Sequence, residues 1–305
     1  MQYSRLINSI FFQDQTIDIL RLDLIHPLYG GNKYFKLKYN LQKAKSSGLS
    51  TILTFGGAHS NHIYATAAAC KEFGLNSIGI ISGEKNKIEQ SSTLRFAINN
   101  GMQLHFISRE HYKNKTEENF SGELKEQFGN FYLIPEGGSN YEGVKGCTEI
   151  LAQELKNYEY VFCACGTSAT FSGIKISANK NQNIIGISVL KGENKLMEDA
   201  NKWLKLFNSD KISTLESGII NQSTIINEYH FGGYDKHSGE LIDFKKEFEN
   251  KYSIPLDYIY NSKLFFAVFD LIKNKRLNPH SKILVIHSGG LQGNEDFIKR
   301  YSVAE

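Results

Sequence analysis

The chain has 305 residues, 41% hydrophobic and 22% charged, with a formal net charge of +3: enough for one large or two medium domains with real cores. So slight a positive excess, with no basic block interleaved with aromatics, argues against a nucleic-acid partner, and no run approaches the roughly 18 apolar residues of a membrane helix. Cys70, Cys147, Cys163 and Cys165 lack metal-ligand spacing, so no metal site is expected and a reduced, cytoplasmic protein is.

The N-terminal MQYSRLINSIFFQDQ sets one arginine before a very short apolar run and then an acid, unlike a secretory leader. Residues 16–24 (TIDILRLDL) alternate apolar and polar, the period of a half-buried strand, and lead into the turn-forming HPLYGG. Lys33 follows and opens a helical pattern that stops at Ser46-Ser47-Gly48. A short β-type run at 51–55 enters FGGAHSNH, in which Ser60 and Asn61 cap a helix over 63–73 ended by Gly74. Strands are expected at 77–81, 103–107 and 131–134, with helices over 88–99 and 141–156 and a polar, helix-containing excursion over 111–129.

The apolar YVFCA at 160–164 reads as a buried strand that breaks into GTSAT and a helix from about Thr170. A strand at 184–189 and a helix at 195–207 follow, then a run at 225–230 into the loop FGGYDKHSGE, helices at 240–251 and 262–273, and a last strand at 283–286 ending in HSGG. Strands alternating with helices of this length imply an α/β fold with mostly parallel sheet, whose ligands bind at the carboxyl ends of strands.

Four glycine-rich loops each follow such a strand: GGNK, FGGAHSN, GTSAT and HSGG. A lysine at a helix start lies among unpaired backbone N–H groups and a positive dipole end, which favour the neutral, nucleophilic amine. Lys36, one turn on, could supply a fixed charge for an anion. GTSAT can wrap a phosphate with consecutive N–H groups at a helix N-terminus. GxGxxG and the P-loop lysine pattern are both absent.

GGNK paired with TFGGAHSNH resembles the pyridoxal-phosphate (PLP) enzymes grouped as 1-aminocyclopropane-1-carboxylate (ACC) deaminase and D-cysteine desulfhydrase. The resemblance implies a two-domain, three-layer α/β protein with mostly parallel sheets, PLP fold type II, similar to the tryptophan synthase β subunit. It implies a larger domain from 1–43 with 151–305, a smaller inserted domain at 44–150, and the cofactor in the cleft between them. By the same resemblance Lys33 forms the Schiff base, and Lys36 with Gly166, Thr167, Ser168, Ala169 and Thr170 holds the phosphate. Asn61 meets the phenolic oxygen of PLP, Ser60 stands against the substrate, and the 56–62 loop through His62 holds the substrate carboxylate. Tyr234, in GGY, and Tyr260, in LDYIYNSK, look like the two substrate-facing tyrosines. His59 and His287 lie near the expected site and carry no assigned role.

ACC-cleaving members follow the second tyrosine with glutamate and have HLGG near the end; here Asn261 and Ser288 stand at those positions, beside the expected pyridine nitrogen. An amide or hydroxyl can only hydrogen-bond that nitrogen, where a carboxylate would keep it protonated. The resemblance thus implies a cytoplasmic, homodimeric PLP-dependent lyase or deaminase of a small amino acid. D-cysteine is the leading candidate, and ACC or another D-amino acid the alternative. A catalytically silent phosphate-ligand binder is the reading from a different class.

Overall fold

The computed structural model describes residues 3–192, 194–210, 212 and 219–303. Strands β1 (Ile7–Phe12) and β2 (Gln15–Arg21) precede helix α1 (Asn32–Ser46), β3 (Thr51–Gly56), α2 (Asn61–Glu72) and β4 (Asn76–Ser82). Then come α3 (Lys87–Gln90), α4 (Ser92–Asn99), β5 (Met102–Ile107), α5 (Arg109–Lys113), α6 (Glu118–Phe128), β6 (Tyr132–Ile134) and α7 (Tyr141–Cys147). The second half runs β7 (Tyr160–Cys165), α8 (Ala169–Ser177), β8 (Asn183–Ser188), α9 (Lys195–Leu206) and β9 (Thr224–Ile226). It closes with α10 (Gly239–Tyr252), α11 (Asn261–Lys273), β10 (Ile283–His287) and α12 (Asn294–Tyr301).

The chain forms two compact units, residues 1–35 with 144–291 and residues 36–143 with 292–305. In the first, six strands lie in the order β1-β2-β10-β7-β8-β9, parallel except for the β1–β2 hairpin. Period-two alternation splits β7 between two cores. Val161, Cys163 and Cys165 pack with Phe171 and Ile174 of α8 and Leu196, Ala200 and Leu204 of α9. Tyr160, Phe162 and Ala164 pack with Phe248 of α10 and Leu264, Phe265 and Val268 of α11. Helices therefore cover both faces, and this unit is a three-layer α/β body.

The second unit has four parallel strands in the order β5-β4-β3-β6. Leu53, Phe55, Ile78 and Ile80 face Tyr112, Phe120 and Leu124 from α5 and α6, while Ile81 packs with Ile63, Ala67, Leu94 and Ala97 from α2 and α4. Residues 292–305 group with this unit, where buried Asp296 accepts hydrogen bonds from Ser92 N (3.0 Å) and His59 Nδ1 (2.8 Å).

Several element bounds differ from those expected. The strand expected over 16–24 ends at Arg21, and Leu22–Leu24 is a 3-10 turn. The helix expected over 88–99 breaks at Ser91, whose hydroxyl accepts from Leu94 N and donates to Ala58 O, so α4 starts afresh with its own cap. The helix expected over 141–156 ends at Cys147; Thr148 turns its hydroxyl onto Lys145 O, a side-chain bond that competes with continuing the helix. The β1–β2 hairpin escaped the sequence because Gln13 and Asp14 make its turn, both at positive φ (45° and 59°), where glycine or asparagine is the usual signal.

Candidate active site

In the first unit the expected residues come from loops at the carboxyl ends of β2, β7 and β10. Gly31 (φ +73°) sits so close to HSGG that a Cβ there would be 2.0 Å from Ser288 O, and Asn32 N donates to that same oxygen (3.2 Å). Only glycine has both the backbone freedom and the space. Asn32 then bridges two functions: its Nδ2 donates to Thr170 Oγ1 (2.9 Å), and its Oδ1 accepts from Lys33 Nζ (3.2 Å). The lysine amine, half-buried, is thereby tied to the start of α8.

At that start Ser168 occupies the N-cap position and its side chain makes no capping bond. Ser168, Ala169 and Thr170 are buried; Gly166 and Thr167 are half-buried. A Cβ on Gly166 would lie 2.7 Å from Cε1 of Tyr260, so the glycine is what lets that ring approach β7.

Tyr260 is placed by the first turn of α11. The buried Asp257 carboxylate accepts from the N–H groups of Ile259 (3.0 Å), Tyr260 (2.8 Å) and Asn261 (2.8 Å), capping the helix. Asn261, fully buried, gives its Nδ2 hydrogens to Asp257 Oδ1 (2.5 Å) and Gly289 O (2.8 Å), and its Oδ1 accepts from Ser288 N (3.0 Å). Its amide protons are spent on protein acceptors, and its effect is to fix Ser288. Tyr234 is 44% exposed, and its ring centroid is 6.1 Å from that of Tyr260 in an edge-on arrangement. His287 is fully buried, with Nδ1 3.0 Å from Asp23 Oδ1 and Nε2 2.8 Å from Pro255 O. Burial pushes the Asp23 carboxyl up, but hydrogen bonds from His287 and Arg21 outweigh it and hold the group well below the usual carboxylate range.

The second unit holds the other expected residues. Ser60 Oγ caps α2, accepting from His62 N (3.2 Å) and Ile63 N (3.3 Å), and nothing stands within 4 Å of a Cβ built on Gly57, so that backbone is open. Asn61 Oδ1 accepts from Gln292 Nε2 (2.7 Å), which fixes the carboxamide so that Nδ2 is the end it presents. His62 is buried, with Nε2 2.9 Å from Thr54 Oγ1. Thr54 spends its own proton on Ile134 O (2.7 Å), so His62 is the donor between them. His59 is held by Asp296, whose carboxyl burial raises but whose bonds from His59 and Ser92 keep well below its ordinary range. Lys36 is buried, and its Nζ donates to Gly137 O (3.0 Å).

Asn32, Asp257, Lys263, Gln292 and Asp296 were not singled out from the sequence. Asp257 had a readable signal, an acid ahead of a helix start; the others act through partners distant in sequence.

A family model described as pyridoxal-phosphate dependent enzyme matches residues 18–289. A Thermotoga maritima protein, provisionally named 1-aminocyclopropane-1-carboxylate deaminase, is 30% identical over 301 residues, covering 91% of this chain and 89% of that protein. The bifunctional D-cysteine desulfhydrase/1-aminocyclopropane-1-carboxylate deaminase of Arabidopsis thaliana mitochondria is 28% identical over 289 residues, covering 87% of this chain and 70% of its own. A crystal structure of an ACC deaminase homologue superposes with a TM-score of 0.77 at 27% identity, over 93% of this chain and 88% of that one.

Proposed function

We propose a reaction from one premise: the chain belongs to the pyridoxal-phosphate-dependent enzymes, in the group of ACC deaminase and D-cysteine desulfhydrase-like lyases. Its own residues fit that cofactor. In the first unit a primary amine is tethered through Asn32 to a helix whose N-cap serine makes no side-chain capping bond and whose first turn carries a second hydroxyl, Thr170. When bound, PLP supplies a sink for the electron pair left on the α-carbon of an amino acid.

In this reading the N–H groups and hydroxyls over 167–170 hold the phosphate, with Lys36 as its further cation, and Ser288 Oγ meets the pyridine nitrogen while Asn261 fixes Ser288. Asn61 donates from Nδ2 to the phenolic oxygen. Ser60 Oγ, which keeps its proton to donate, and the 56–62 loop hold the substrate carboxylate, while His62 gives its backbone N–H to Ser60 Oγ and its ring N–H to Thr54. Lys33 Nζ takes the α-proton, and Tyr260, with Tyr234 at its edge, protonates the departing sulfur. The substrate is D-cysteine; with one water it gives pyruvate, ammonia and hydrogen sulfide. We place the enzyme in the cytoplasm, in keeping with four cysteines that are free and buried, and assign it a homodimer by the family resemblance alone. Among the described residues no helix is long and apolar enough to cross a membrane.

The observation that carries D-cysteine is the neutral pair at the pyridine position. Asn261 is locked as an amide with its protons committed, and the Ser288 hydroxyl lies 3.5 Å from Asn261 Oδ1, so both groups at that position are neutral and neither is a carboxylate. A nitrogen left unprotonated makes a weaker sink. That suits loss of an α-proton with a good leaving group better than opening an unactivated ring. ACC is the second reading, favoured by the names its relatives carry.

The test is a sulfide assay with D- and L-cysteine beside an α-ketobutyrate assay with ACC, on protein loaded with PLP. Sulfide from D-cysteine is expected, with borohydride linking the cofactor to Lys33 and Lys33→Ala abolishing turnover. α-Ketobutyrate without sulfide would transfer the assignment to ACC.

A further inference from the structure

A six-residue loop that carries one of the two proposed substrate tyrosines is held in a conformation it would not choose alone. Phe231 (φ 51°), Gly232 (φ 94°), Gly233 (φ 120°) and Asp235 (φ 58°) all lie at positive φ, with Tyr234 among them. Two of the four are not glycine, and each such residue costs on the order of 1 kcal/mol or more unless its surroundings enforce it. The enforcing group comes from α11. Lys263 is fully buried, and its Nζ donates to His230 O (2.9 Å) and Gly233 O (2.8 Å), gripping the loop at its base and just ahead of Tyr234.

Burying a lysine is costly, and the amine registers it. Desolvation brings the Lys263 pKa down from 10.5 to about 8, against the opposing pull of Asp257 and Asp235. A residue used only to fill space on α11 would be cheaper as leucine or methionine. Lys263 also lies one helical turn beyond Tyr260. One turn of α11 therefore fixes Tyr260 over Gly166, Ser288 through Asn261, and the 230–235 loop through Lys263.

We propose that Lys263 is a positioning residue for catalysis: its Nζ pins the 230–235 loop so that Tyr234 stands edge-on to Tyr260, and it acts on the substrate only through that tyrosine. This rests on the reading of Tyr234 as substrate-facing. Lys263→Met removes both donors at similar length, and Tyr234→Phe removes only the hydroxyl.

The expected results, on PLP-loaded protein with D-cysteine or ACC, whichever turns over, are these. Tyr234→Phe lowers kcat/KM about ten-fold, in line with one lost hydrogen bond to a reacting group. Lys263→Met lowers it at least as far, and adding Tyr234→Phe to it changes kcat/KM less than two-fold, since a misplaced hydroxyl has nothing left to lose. Lys263→Met still takes the borohydride label on Lys33, and chymotrypsin cuts it faster than wild type after Phe231 or Tyr234.

If Lys263→Met does not fold, Gly233→Ala strains the loop through its own backbone and must give the same non-additivity with Tyr234→Phe. Additive losses, or a Lys263→Met enzyme with wild-type kinetics and proteolysis beside an impaired Tyr234→Phe, overturn the inference. Wild-type kinetics in Tyr234→Phe instead remove Tyr234 from the reaction and the inference with it. A wild-type protein in which borohydride does not label Lys33 defeats the proposed function itself.

Discussion

Ser60 has two jobs that a single substitution would confuse. Its hydroxyl caps α2 through His62 N and Ile63 N, and it is also the serine proposed to face the substrate. Ser60→Ala should lower stability by about 1 kcal/mol, the usual cost of a lost N-cap, and slow turnover while cofactor attachment to Lys33 survives. Ser60→Asn keeps a capping acceptor without the hydroxyl, so it should recover most of the stability and none of the rate. Urea melts beside steady-state assays separate the two effects; a Ser60→Asn enzyme as fast as wild type would confine Ser60 to the cap. The cap was legible in the sequence because Ser60 is a preferred N-cap residue just ahead of an alanine-rich helix. Gln292 was not, because its partner Asn61 is a neighbour only in space.

Among elements, the turn leading into α1 depends most on glycine. At Gly31 a side chain would meet Ser288 O at 2.0 Å, with φ at +73° besides. Gly31→Ala should cost about 3 kcal/mol or more from overpacking and backbone strain together, and should loosen Lys33 from Thr170 by displacing Asn32. Calorimetry and the yield of the borohydride label on Lys33 check this; a variant with unchanged melting and labelling would refute it. Periodicity located most helices and strands of this α/β fold, since each long element has one or two apolar faces to bury, but α12 was not among them. It failed where a side chain competes with the backbone, as Ser91 and Thr148 do, and where a turn uses residues that rarely adopt positive φ, as Gln13 and Asp14 do.

At the scale of the whole molecule, acid should be the sensitive axis of stability. Asp23 in the first unit and Asp296 in the second are both held below their ordinary value of 3.8 despite burial that pushes the other way. The unfolded chain takes up these protons before the folded one does. Their contribution is therefore complete above about pH 4 and is lost as pH falls below it toward the folded values. Asp296→Asn should lower stability by about 1–3 kcal/mol at neutral pH, since His59 and Ser92 lose a charged acceptor. It should also flatten the fall in urea midpoint between neutral pH and pH values below about 4. Curves for variant and wild type that stay parallel across that range would refute the assignment. How the chain divides at 35/36 and 143/144, and why 292–305 joins the second unit, could not be read from composition: no linker marks those points, and the bonds that decide them join residues far apart in sequence.

The contact between Gly31 and Ser288 also sets an order of events during synthesis. β2 has β10 as its parallel neighbour, and the turn before Lys33 is completed by backbone that follows β10. A ribosome emits the β1–β2 hairpin long before β10, so the hairpin waits with that edge of β2 open until β10 emerges. The nascent polypeptide thus cannot complete the turn ahead of Lys33 early, and messages cut short before residue 283 yield chains that keep that strand edge unsealed and are prime clients for chaperones.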